Sequence, residues 1–473
     1  MTPGRLVFPA LRWRDDTGFS HESAVVAEAL AFGAGGFIIF GGTADATAEL
    51  TARIRRDAGR PLLFAADLER GAGQQFLGLD ELPPPLALAS LDDPAVLRGA
   101  GILTAIEALS VGINWILAPV ADLDIAPENP IVQTRSFGAD PARVAAATTA
   151  WIVGCEAAGG LACGKHFPGH GRTRTDSHVG VPVVSAAAEL LWETDLAPFR
   201  AAVEVGIGSL MTAHVAFPAL DPTGTPATFS RPILDILRRE LGYEGLIVSD
   251  ALMMEGARAG RTPERVAREA VRAGVDLLLY PDAPGATAAG LERAMEEDPE
   301  VAARVAESLE RYDAALAAVA MDDLPERPPP AGSVVALADW LMSAPLLRGE
   351  PPRLAAPIRL EVVDDDQGGV WPASSTTEWV AEALGARGVA LGKGGSRILL
   401  AFAEPRASKG RAGFGPERLA RLAHEADEAA LIILFGHPRL APTVPGTAPI
   451  LLAWHRQRLM QEGAARWIAA HLG

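Results

Sequence analysis

One stretch concentrates titratable side chains. It runs Gly164-Lys165-His166-Phe167-Pro168-Gly169-His170-Gly171, then Arg172 to Thr175, then Asp176-Ser177-His178. Any one of these histidines alone would be an ordinary satisfied residue; the combination points to chemistry. Asp176 can hold the His178 imidazole in one tautomer and favour its protonated form, as in an acid/base dyad. An imidazole with an ordinary pKa of about 6.5 gives and takes a proton near neutral pH. His166 and His170 have the i, i+4 spacing of a metal pair on a helix, but Pro168 and Gly169 between them deny that helix. No metal site is therefore expected. The same proline and glycines argue against a central strand. The whole segment from Gly164 is thus expected to be loop, entered from the buried strand end Leu161-Ala162-Cys163.

Further candidates stand where apolar runs end. The run Gly245 to Val248 leads through Ser249 to Asp250, a carboxylate that reads either as catalytic or as a helix N-cap. Pro61 to Ala66 leads to Asp67, where a carboxylate is costly unless it finds partners. His214 follows Met211-Thr212-Ala213 and either lines a pocket or caps the strand. Arg135 sits in a loop punctuated by Pro and Gly, a setting suited to bidentate binding. Asp122, in Ala118-Pro119-Val120-Ala121-Asp122, is expected to brace its loop.

The elements that must position these residues alternate. Strands are expected at Leu6–Pro9, Gly36–Phe40, Pro61–Ala66, Ile113–Leu117, Leu161–Gly164, Ser209–Thr212, Leu246–Ser249 and Val275–Leu279. Helical patterns lie between them, including Ser23–Phe32, Pro94–Leu109, Ala142–Ala158, Ala186–Val205 and Pro263–Ala273. Eight βα repeats predict an α/β fold, a (β/α)8 TIM-like barrel over residues 1–321 with the polar loops converging at one mouth. A doubly wound open sheet ranks below it. A Pro-rich linker follows over 322–333. Residues 334–473 are expected to form a smaller α/β sandwich domain with a mostly parallel sheet, carrying no phosphate-binding fingerprint.

The motif Lys165 to Gly171 followed by Asp176-Ser177-His178 resembles the family 3 glycoside hydrolases, in particular the β-N-acetylglucosaminidases that carry an Asp-His dyad on a barrel loop. Asp67 to Phe76, Leu82 to Leu88, Ala118 to Asp124, Arg135 to Gly138 and Ser249-Asp250 are similar to the same family. The resemblance implies a retaining mechanism with Asp250 as nucleophile, His178 as acid/base and Asp176 orienting it. It implies sugar contacts from Asp67, Arg135, Lys165 and His166, with Gln75, a further substrate-binding candidate, standing where the family often has Arg; His214 stays a candidate from its place after the strand alone. It also implies cis peptides near Ala118-Pro119 and Lys165-His166, and no cofactor. The expected substrate carries a terminal β-linked N-acetylglucosamine or related sugar, with cell-wall fragments as one source. A phosphorylase on the same scaffold and a non-catalytic sugar-binding protein are the alternatives.

Composition agrees. The chain has 473 residues, 49% of them apolar, enough for two domains with sizeable cores. A net charge of −17 argues against nucleic acid or an anionic membrane as partner. Cys155 and Cys163 read as buried small residues rather than a disulfide framework. Met1 to Arg14 lacks the apolar run of a signal peptide and no stretch reaches membrane-spanning length, so a cytoplasmic location is expected.

Overall fold

The computed structural model describes residues 2–175, 180–319, 326–327, 332–366, 376–405 and 409–473. The chain divides into two compact units, the first comprising Met1–Asp80, Asp93–Ile125 and Ser136–Pro330, the second Glu81–Asp92, Ala126–Arg135 and Ala331–Gly473. The expected linker falls largely outside the described residues.

The first unit is a parallel barrel. Its strands are β1 (Val7–Phe8), β2 (Ala10–Arg12), β3 (Gly36–Phe40), β4 (Leu63–Ala66), β5 (Trp115–Ile116), β6 (Leu161–Phe167), β7 (Ser209–Thr212), β8 (Leu246–Ser249) and β9 (Leu278–Leu279). Strands β2 to β8 pair in sequential order, and β1 pairs with β9. Val248 bridges Leu277, and Ser249 N donates to Leu277 O at 3.0 Å, so β9 joins β8 to β1 and the ring closes. Because only Pro9 separates β1 from β2, they serve as one stave, and eight staves result. Sequential order with parallel pairing is the barrel topology, not that of an open doubly wound sheet. Large side chains fill the interior: Phe8 meets Trp115 edge-on at 5.4 Å, and the Trp115 indole donates to Ser209 Oγ at 2.9 Å.

Helices start where the sequence supplies caps. The side chains of Thr43, Asp93, Asp140 and Thr262 each accept a backbone N–H from the first turn of the following helix. Proline at the first position reinforces the last three of these starts. Helices Pro94–Ser110 and Pro141–Ala157 approach backbone to backbone, since a Cβ on Gly101 would lie 2.2 Å from Trp151 O. The single helix expected over Ala186–Val205 is instead two, Ala188–Glu193 and Ala197–Glu204. Pro198, which has no N–H to continue the first, opens the second.

A second difference bears on the site. Gly164 to Phe167 is strand, not loop: β6 runs on to Phe167, paired with β7 through Gly164↔Leu210, Lys165↔Met211 and Phe167↔Thr212. A register shift between Lys165 and Phe167 absorbs one residue, so Pro168 ends the strand without interrupting its ladder. The Ala118-Pro119 and Lys165-His166 peptides are both cis, as are Phe167-Pro168 and Ala356-Pro357.

The second unit carries a four-stranded, wholly parallel sheet in the order β10 (Arg359–Asp364), β11 (Arg397–Ala403), β12 (Leu431–Gly436), β13 (Ile450–Leu452). Helices including Gly332–Met342, Trp379–Ala386 and Arg458–Ala470 cover it. Its core is built from residues such as Leu399, Phe402, Ile433, Phe435 and Ile468, with Phe402 and Phe435 stacked at 4.4 Å. The two cysteines, both in the first unit, are free and buried.

Candidate active site

Because all barrel strands run the same way, their carboxyl ends share one mouth. Asp67 follows β4, Lys165 lies near the end of β6, and Asp250 follows β8. Lys165 ties the end of β6 to the loop after β4. Its Nζ lies 2.6 Å from Asp67 Oδ1 and 2.8 Å from Glu69 Oε1. The ammonium side chain is 2% exposed and that of Glu69 4%, whereas Asp67 keeps 32% of its side chain open. A buried ammonium with two carboxylates is compensated, and the open carboxylate is the one placed to meet a ligand. Glu69 was not foreseen; its place two residues beyond Asp67 in the same loop was the available signal.

Asp122, expected to brace its own loop, instead reaches across to the end of β6. Its Oδ1 accepts the backbone N–H groups of His166 at 3.1 Å and His170 at 2.6 Å. Its Oδ2 lies 2.7 Å from His166 Nδ1, which fixes that ring with Nε2 directed away from the brace. Burial pushes the Asp122 carboxyl upward, but His166 and His170 together outweigh it and hold the group below its ordinary value. Burial pushes His170 down to about 4, helped by the neighbouring His166, so its imidazole is neutral near pH 7. Its Nδ1 pairs with Thr173 Oγ1 at 2.6 Å.

Gln75 spends its amide on backbone: Oε1 accepts from Gly41 N at 3.0 Å, and Nε2 lies 3.4 Å from Asp67 O. It ties the loop after β3 to the Asp67 loop. His214 is fully buried, with Nδ1 2.8 Å from Thr228 Oγ1 and Nε2 3.2 Å from Ala251 O. Asp250 is partly exposed, and its Oδ1 accepts the Ala251 N–H at 2.7 Å. Arg135 lies in the second unit, on the turn Gln133–Arg135, where its Nη1 donates to Ile131 O at 3.0 Å. Asp176 and His178 lie outside the described residues. The chain is anchored on either side of them, by Arg172 Nε on Asp195 Oδ2 at 2.7 Å and by Ala216 N on Pro182 O at 2.9 Å. Among the described residues no group of three or more His, Cys, Asp or Glu could hold a metal ion, and no helix is long and apolar enough to cross a membrane.

The chain as a whole is similar to known proteins. The family described as glycosyl hydrolase family 3 N-terminal domain matches residues 19–314. A β-hexosaminidase of Alkalilimnicola ehrlichii is 41% identical over 248 residues, 50% of this chain and 70% of that one. One of Tolumonas auensis is 41% identical over 254 residues, 52% of this chain and 75% of that one. Among solved structures, a glycoside hydrolase family 3 β-N-acetylglucosaminidase from Paenibacillus sp. str. FPU-7 superposes with a TM-score of 0.82 at 26% identity, covering 100% of this chain and 96% of that one.

Proposed function

The chain belongs to glycosyl hydrolase family 3, and on that premise we propose that it is a retaining, exo-acting β-N-acetylglucosaminidase. The observation that carries this reading is the placement of Asp250 at the same barrel mouth as the Lys165–Asp67 pair. The similarity to a β-hexosaminidase and a β-N-acetylglucosaminidase supports a β-linked N-acetylhexosamine as the sugar.

In the proposed mechanism Asp67, Lys165 and His166 hold sugar hydroxyls. The open carboxylate of Asp67 accepts, the ammonium donates, and Asp122 sets the His166 ring. Asp250 attacks the anomeric carbon and forms a glycosyl ester as the aglycone leaves. His178, oriented by Asp176, protonates the departing oxygen and then takes a proton from the attacking water, which cleaves the ester and frees Asp250.

Turnover of a chromogenic β-N-acetylglucosaminide tests the reading. Activity on it, abolished in Asp250→Ala for every leaving group, is the expected result. His178→Ala should lose much more on a poor leaving group than on one that departs without protonation, and equal losses would remove His178 from the acid role. Turnover that required inorganic phosphate would replace hydrolysis by phosphorolysis.

A further inference from the structure

His214 closes a hydrogen-bonded chain that ends on the residue after Asp250. Its Nε2 lies 3.2 Å from the Ala251 carbonyl oxygen. A carbonyl only accepts, so Nε2 carries the proton. In the neutral ring Nδ1 is then the acceptor, and the Thr228 hydroxyl, 2.8 Å away, donates to it. Thr228 Oγ1 also lies 2.8 Å from Thr212 Oγ1 and 3.3 Å from Ala213 O. The three side chains are fully buried. The imidazole also stacks on Phe229 at 6.4 Å and 12°, and the Arg261 guanidinium lies 4.5 Å from the Phe229 ring centroid. The ring plane and the Nε2 hydrogen bond are thereby set by neighbours.

The backbone of Ala251 is held at its carbonyl and meets Asp250 at its N–H, the two groups lying in consecutive peptide units that share the Ala251 Cα. Its carbonyl accepts from His214, and its N–H donates to Asp250 Oδ1 at 2.7 Å. Asp250 stands just beyond Ser249, the last residue of β8 paired with β7. We propose that His214 is a positioning residue that holds the Asp250 carboxylate in its attacking geometry through the backbone of Ala251, with Thr228 holding the imidazole in place. The proposal rests on the reading of Asp250 as nucleophile.

The test compares His214→Phe, which keeps a stacked ring and loses the donor, with His214→Gln, which returns an amide N–H to the position of Nε2. Thr228→Val serves as the variant that retains His214. Displacing a nucleophile by about 1 Å costs on the order of 10²-fold in rate. His214→Phe should lose about that much in kcat with KM little changed, and by the same factor for good and poor leaving groups. His214→Gln should recover most of the loss, and Thr228→Val should fall between wild type and His214→Phe. Wild-type kcat in His214→Phe, or equal losses in the Phe and Gln variants, would overturn the positioning role while leaving Asp250 as nucleophile. A wild-type chain that cleaves no β-N-acetylglucosaminide would overturn the underlying reading and the proposal with it. If His214→Phe fails to fold, unaltered kcat in Thr228→Val would overturn the proposal.

Discussion

Lys165 meets two carboxylates with different duties. Glu69 is buried beside it and Asp67 is a third exposed, so removing the ammonium takes a cation from a buried carboxylate. Lys165→Met is accordingly expected to cost about 3–5 kcal/mol of stability. Asp67→Asn, which leaves the Lys165–Glu69 pair intact, should cost under about 1 kcal/mol because the altered group is partly solvated. It should instead raise KM. Denaturant unfolding and steady-state kinetics separate the two effects, and a Lys165→Met chain as stable as wild type would show that the pair is not desolvated. His170 adds a pH signature. Its folded value of about 4 lies below the ordinary 6.5, so an unfolded chain takes up a proton that the folded one refuses. The stability this contributes is full above pH 6.5 and is lost as pH falls toward 4. His170→Asn, which keeps a polar group near the position of Nδ1 but does not titrate, should show a smaller fall in Tm across that window.

At the scale of elements, a carboxylate away from the mouth has the opposite sign. Glu156, near the end of helix Pro141–Ala157, accepts the Gly208 N–H at 2.7 Å. Burial pushes it up to about 7, against the backbone hydrogen bonds that pull it down. With its folded value raised, the group's contribution is full below 4.5 and is lost as pH rises through about 7. Glu156→Gln should therefore raise Tm at about pH 8 and match wild type at about pH 5; an equal gain at both would mean that the effect is not protonic. Gly208 leads into β7, whose expected bounds Ser209–Thr212 are those observed. Most strands were legible in this way, because buried parallel strands are continuous apolar runs between turn signals. Strand β6 was legible only to its apolar end. Lys165 and His166 look like loop in one dimension, since the groups that make them tolerable inside the barrel, Glu69 and Asp122, come from other loops. Asp67 and Asp250 were legible because each ends an apolar run. The tautomer of His214 was not, because Thr228 and Ala251 reach it from separate segments.

At the scale of the molecule, the chain has two hydrophobic cores, and each unit has its own buried charges. In the second unit Arg456, 2% exposed, donates to both oxygens of Asp364 at 3.1 Å and to Asp366 Oδ2 at 3.2 Å. Asp366 is also met by Lys409 Nζ at 2.9 Å, and Glu404 Oε1 lies 3.0 Å from His455 Nε2. Burial alone would push the Arg456 guanidinium down; Asp364, Glu404 and Asp366 more than offset it and keep the charge in place. These groups stand at or beyond the carboxyl ends of β10, β11 and β13, where they close the polar edge of an otherwise apolar sheet. Arg456→Met would leave the Asp364 carboxylate, 4% exposed, without this guanidinium, a change expected to cost about 3–5 kcal/mol. Separate cores predict that this cost falls on one unit. Calorimetry of the wild-type chain should then show two unfolding transitions, and Arg456→Met should lower only one of them. A single transition that shifts as a whole would show instead that the two units unfold together, with the Arg456 network stabilising both.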